Sequence, residues 1–189
     1  TGKAIAKVKG AKRVTGVTIC AQAGEGAVQE EIACEAVAMS GGWSPVVHLW
    51  SHCGGKLTWD ETISAFVPDP SRPPLNHDGS AMVEVVGSAS GDLTLTGTPT
   101  VIPPVWVMPQ GAPIAYRNKM WLDYQNDVKV SDVQLASREG YVSVEHTKRY
   151  TTLGMATDQG KLSNINGLAV LADSLGQEIP QVGTTTFRP

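Results

Sequence analysis

HTKRYTTLGMATDQGKLSNINGLAVLA, residues 146–172, is the stretch on which the reading of this chain turns. From Asn164 onward, Ile165, Leu168, Ala169, Ala172 and Leu175 recur at helical spacing. Gly176 follows where a left-handed residue closes a helix, so the spacing predicts a helix over about 164–175. The preceding half has few aliphatic side chains. It is built from Thr147, Tyr150, Thr151, Thr152, Thr157, two glycines, Asp158–Gln159 and Lys161. A hydrophobic core has no use for such a run. Its hydroxyls, its cations Lys148, Arg149 and Lys161, and backbone amides freed around Gly154 and Gly160 are groups that a phosphate or a flavin tail takes. A solvated, capped loop between two helices explains each residue singly and their density less well.

Working outward, SDVQ at Ser131 is a capping-box pattern ahead of the helix SDVQLASREG, which Gly140 ends. Ser143 caps a second helix over roughly 144–150. Upstream, TPTVIPPVWVMPQGAP (Thr98–Pro113) is proline-rich and reads as a linker. VTGVTICA (Val14–Ala21) and EIACEAVAM (Glu31–Met39) read as strands around the turn AGEGAVQ. Pro68, Pro70, Pro73 and Pro74 rule out regular helix in the middle, and AMVEVVGSASG (Ala81–Gly91) reads as a buried strand ending in a small-residue turn. The expected organisation is a nucleotide-binding half-domain over 1–103, a linker over 104–119 and a small helical connector over 120–189. The fold class is α/β, a partial Rossmann-like FAD/NAD-binding region with β-hairpin strands, followed by a small all-α module.

Composition excludes several functions. The chain has 189 residues, a formal charge of −3 and a pI near 5.8, with none of the strongly basic balance that binds nucleic acid. No apolar run reaches the ~20 residues of a membrane span. Thr1–Val8 lacks the apolar region of a signal peptide. Cys20, Cys34 and Cys53 are odd in number and widely spaced, which fits a reducing cytoplasm better than a disulfide framework. The ends carry no terminal signature, and the chain reads as a piece of a longer one.

Two turns invite a nucleotide. Ser40, Gly41, Gly42 and Trp43 follow one expected strand, with Ser44 and Pro45 suited to opening a helix. Gly87, Ser88 and Ala89 follow another and lead into Leu93, Thr94 and Leu95. Strand, glycine turn and helix N-terminus hold phosphates in α/β proteins, yet many such turns bind nothing. No GxGxxG or Walker lysine motif occurs, and no serine or cysteine stands in a nucleophile-elbow setting. His48 and His52, four apart and followed by Cys53, could face one metal, but a fourth ligand is not evident.

SVEHTKRYTTLGMATDQGK, the SN that follows, and IPQVGTTTFRP resemble the signature run of the α subunit of heterotetrameric sarcosine oxidase. AMSGGWSPVVHLWSHCGGKLTWDETISAFVP resembles the second half of that subunit's pyridine-nucleotide-binding region, and YQNDVKVSDVQLASREGY the join between the two. The resemblance runs in order along nearly the whole chain. It implies an oxidoreductase that demethylates sarcosine to glycine, with hydrogen peroxide as co-product and the one-carbon unit passed to tetrahydrofolate. It implies β, γ and δ subunits as partners, FAD on β, FMN at the α–β interface and NAD on α.

By that resemblance Ser40, Gly41, Gly42, Trp43, Gly87, Ser88, Ala89, Leu93, Thr94 and Leu95 fall at the NAD site. Thr151, Thr152, Thr157, Gln159, Lys161 and Thr186 fall where α approaches FMN, and none of these residues is catalytic. The GxGxxG half of the NAD site and the folate domain are missing from this sequence, and the helix expected after the second turn looks shortened. Some relatives carry an iron–sulfur module instead, but no cysteine follows Gly54 here, so four thiolates cannot gather. The competing reading is a connector that docks the β subunit and binds no cofactor.

Overall fold

A computed structural model describes residues 2–94 and 103–184. The first sheet is an antiparallel meander of β1 (Lys3–Lys9), β2 (Gly16–Ala21) and β3 (Val28–Ile32). Val17, Ile19 and Cys20 of β2 are buried, as befits a central strand, while every residue of β3 is exposed. The edge carries charge: Lys3 Nζ and Lys9 Nζ each lie 2.6 Å from a carboxylate of Glu30 or Glu31.

Residues 33–47 form no regular element, so the strand expected through Met39 stops at Ile32. A Cβ added to Gly41 or Gly42 would meet nothing within 4 Å. A helix follows, but as the single turn α1 (His48–His52). The hairpin of β4 (Leu57–Asp60) and β5 (Ala65–Pro68) occupies what the prolines and glycines made look irregular. Its face is marked by Trp59 and Phe66, edge to face at 5.0 Å. Trp50 of α1 closes over the hairpin's approach, donating from Nε1 to Lys56 O at 2.7 Å.

Ala81–Gly91 is not a strand. Ala81 makes one bridge to Leu75, and the chain then runs irregularly into a 3₁₀ turn at Gly87–Ser90 that packs on β5. The valines supply strand propensity, but among the described residues no partner strand lies alongside them.

The proline-rich segment before 113 is anchored rather than slack. Gln110 N and Gly111 N donate to Gln22 O and Gly24 O at 2.8 and 3.1 Å, and Val107 packs on the C-terminal core. After the short α2 (Ile114–Arg117), the hairpin of β6 (Trp121–Asp123) and β7 (Val128–Lys129) runs straight into α3 (Val130–Arg138). α3 begins one residue before Ser131. The Asp132 carboxylate accepts from Lys129 N at 2.8 Å and supplies the cap. α4 (Val144–Thr151), α5 (Asn164–Leu175) and α6 (Ile179–Val182) complete the module.

α5 is the hub: Leu168 and Leu171 are fully buried among Val128, Val130, Val133, Val144 and Leu153. Gly176 closes it at φ +63. Strands lead and helices follow, as the sequence implies, but the module expected to be all-α opens with the β6–β7 hairpin.

Candidate functional site

The hydroxyl-rich run becomes a loop between α4 and α5, and its backbone is held from outside. Asp123, 4% exposed at the end of β6, is the main brace. Its Oδ1 accepts from Gln125 N and Asn126 N, each at 3.0 Å, and its Oδ2 from Gly154 N at 2.9 Å. Asn126 Nδ2 donates to Thr152 O at 2.8 Å, and Gln125 Oε1 accepts from Thr157 N at 2.8 Å. The β6–β7 turn thus grips the loop at three points by side chain to backbone.

The loop's conformation needs this support. Thr152 and Gln159 sit at φ +63 and +59, and Gly154 and Gly160 at +69 and +76. The first two are non-glycine residues in the left-handed region, a cost that only surrounding bonds sustain.

This settles which groups face outward. The amides of Gly154 and Gly160 donate to the Asp123 and Asp158 carboxylates rather than to solvent. Thr151 Oγ1 donates to Thr147 O and Thr152 Oγ1 to Thr151 O. Thr152, Thr157 and Lys161 are exposed, and Thr151 and Gln159 half-buried. So the loop presents threonine hydroxyls and an ammonium group, while the amides of Gly154, Thr157 and Gly160 are already taken. Thr186, like Leu95, lies outside the described residues.

Lys161 also reaches an element that the sequence did not connect to it. His48 of α1 is held below its ordinary 6.5, first by burial, then by the positive charges of Lys161 and His52. A folded-state pKa below the unfolded one favours the neutral ring. Its contribution to stability is complete above the unfolded value and is lost as pH falls through the folded one. Lys161→Ala should raise the His48 pKa toward 6.5 without restoring it, because burial remains. An NMR titration of the imidazole checks this. The His48 and His52 rings meet edge to face at 6.0 Å. Among the described residues no three His, Cys, Asp or Glu side chains gather to hold a metal.

The other expected residues are dispersed. Ser40, Gly41, Gly42 and Trp43 lie on an exposed stretch ahead of α1, with Trp43 74% exposed. Gly87, Ser88 and Ala89 belong to the 3₁₀ turn, and Leu93 and Thr94 follow it, where the Asp92 carboxylate accepts from Thr94 N and Oγ1. Among the described residues no strand runs directly into either turn, and the first turn leads only to the single-turn α1. Two shallow hollows lie elsewhere. One, of about 170 Å³, is walled by Trp106, Arg117 and Asp173; the other, of about 320 Å³, lies over Ile5, Ile19 and Ile32.

Sequence reasoning missed Asp123, Gln125, Asn126 and Asn164. Their signal was faint: a polar Asp-Tyr-Gln-Asn-Asp turn, and an asparagine at the start of an apolar helix.

The fold is shared with a solved structure. The crystal structure of L-proline dehydrogenase from P. horikoshii superposes with a TM-score of 0.60 at 19% identity, over 96% of this chain and 41% of that one. Residues 117–189 match the sarcosine oxidase A3 domain. The chain is 38% identical to the sarcosine oxidase α subunit of Rhizobium meliloti over 96% of its length. It is 37% identical to that of a Corynebacterium species over 82%. It therefore belongs to the sarcosine oxidase α-subunit family, and it spans about a fifth of the length of these relatives, 20% and 18%.

Proposed function

We propose that this chain is the part of a heterotetrameric sarcosine oxidase α subunit that presents the 152–161 loop to FMN at the interface with the β subunit. The parent enzyme would demethylate sarcosine, an oxidation at a CH–NH group, and pass the one-carbon unit to tetrahydrofolate, in the cytoplasm, with γ and δ completing the assembly. The observation that carries the reading is a loop braced through its backbone whose free edge offers Thr152, Thr157 and Lys161. The Lys161 ammonium and the Thr157 hydroxyl can donate to the oxygens of a phosphate or an isoalloxazine ring brought by another chain. Thr152, whose O–H is committed to Thr151 O, can only accept. FMN would supply electron transfer; Lys161 would balance negative charge, and the threonines would fix orientation.

NAD has no comparable support. Among the described residues, 40–43 and 87–94 form no strand–turn–helix cradle, and no step is derived through that cofactor. One observation favours the connector reading. The loop amides already donate to Asp123 and Asp158, as in a purely structural loop.

The test replaces Thr157 with Val and Lys161 with Ala in the full α subunit co-expressed with its partners. Assembly should survive while flavin content per complex falls about tenfold, a loss of about 1.4 kcal/mol of binding. Failed assembly with flavin lost in proportion would instead identify a scaffold.

A further inference from the structure

We propose that Asn164 is a positioning residue for the cofactor-facing loop, an inference that rests on the reading of that loop just given. Asn164 opens α5 and is 1% exposed. Its backbone N–H donates to Gly160 O at 3.0 Å. Its side-chain amide fills the space that a Cβ would need at both glycines of the loop. A Cβ on Gly154 would stand 2.1 Å from Asn164 Oδ1, and one on Gly160 2.2 Å from Nδ2. The Gly154 position would also stand 3.0 Å from Gly160 Cα, so the two ends of the loop close around this amide. A second notch lies one turn along α5, where a Cβ on Gly167 would meet Leu153 Cδ2 at 2.2 Å. Loop and helix interlock in both directions.

The chemistry of the plug is unexpected. Neither Oδ1 nor Nδ2 of Asn164 has a hydrogen-bond partner, nor does Ser163 Oγ beside it. A buried amide without partners is destabilising, and leucine, near it in shape, would fill the same notches without that cost. Orphaned polar groups of this kind mark places where position is kept at the expense of stability. What Asn164 fixes is the span between the two glycines together with Lys161 just beyond, and so where Thr157 and Lys161 stand.

The experiment uses the assembled oxidase carrying Asn164→Ala, with Asn164→Ser, which also empties the glycine notches, in case alanine prevents folding. Amide exchange across 152–161, the visible flavin bands and the rate of flavin release on dilution are read together. For Asn164→Ala we expect exchange in 154–160 to quicken by about tenfold or more, the flavin bands to shift and release to accelerate. Adding Gly160→Ala places a methyl where the amide was, and should return part of the lost protection. Unchanged exchange would overturn the proposal. Faster exchange with unchanged flavin bands and release would also overturn it, and the Thr157→Val and Lys161→Ala variants then locate the failure. If those lose flavin, the loop still faces the cofactor and only Asn164's role falls; if they keep it, the reading of the loop has failed.

Discussion

Asp123→Ala should cost about 2–4 kcal/mol of stability and release the loop from the hairpin. Three backbone amides donate to this nearly buried carboxylate: those of Gln125, Asn126 and Gly154. Truncation leaves all three without an acceptor, and water reaches a side chain 4% exposed only by opening the structure. The effect should not be uniform. The Gln125 and Asn126 amides sit in the hairpin turn and can relax, whereas Gly154 N is committed by its left-handed backbone. Asp123→Asn separates the contributions. Its oxygen can still serve the turn, but its NH₂ would then face Gly154 N, donor against donor, so most of the loss should persist. Urea unfolding of the purified chain measures the cost. A lowered midpoint at constant slope is the expected result; a loss below about 1 kcal/mol would mean the brace is ornamental.

The second large effect is steric. Gly154→Ala should cost about 3 kcal/mol, combining about 1 for a left-handed alanine with the overpacking of a methyl placed 2.1 Å from Asn164 Oδ1. Gly140→Ala provides the contrast. At φ +94 it carries backbone strain too, but nothing lies within 4 Å of its Cβ, and it should lose only about 1 kcal/mol. Thermal unfolding of the two variants in parallel separates strain from crowding. Equal losses would show that the loop gives way around the methyl, and the clasp by Asn164 would be soft.

The helical module was legible because its signals are local. Gly140, Ser143 and Gly176 mark ends within a turn of where α3, α4 and α5 stop or start. The apolar period of α5 finds Leu168, Ala169 and Ala172 on its buried side, though burial extends to Val170 and Leu171 and leaves Ile165 and Leu175 partly exposed. The first part was less so, because strands need partners that propensity does not announce. Val83, Val85 and Val86 have the composition of a strand and, among the described residues, no strand to pair with. Leu57–Asp60 and Ala65–Pro68 do have one, across a turn in which Ser64 takes φ +49.

The loop shows the same division. That Thr151–Lys161 is a special run could be read from its residues. That its amides are already taken could not, since the acceptor for Gly154 sits 31 positions away. Only side chains at the tip of a hairpin, brought across by folding, decide which groups are left to face outward.

Anchoring and presentation in this loop are therefore written on different residues. The hairpin holds main-chain atoms of Thr152, Gly154 and Thr157, and a substitution at the exposed Thr157 other than proline leaves its bond to Gln125 in place. A fold arranged this way can exchange the chemistry at its rim without re-solving its own folding. Relatives that share the brace are free to diverge in what the rim greets, and a designer could rewrite Thr157 and Lys161 for a different guest while Asp123 keeps the frame in place.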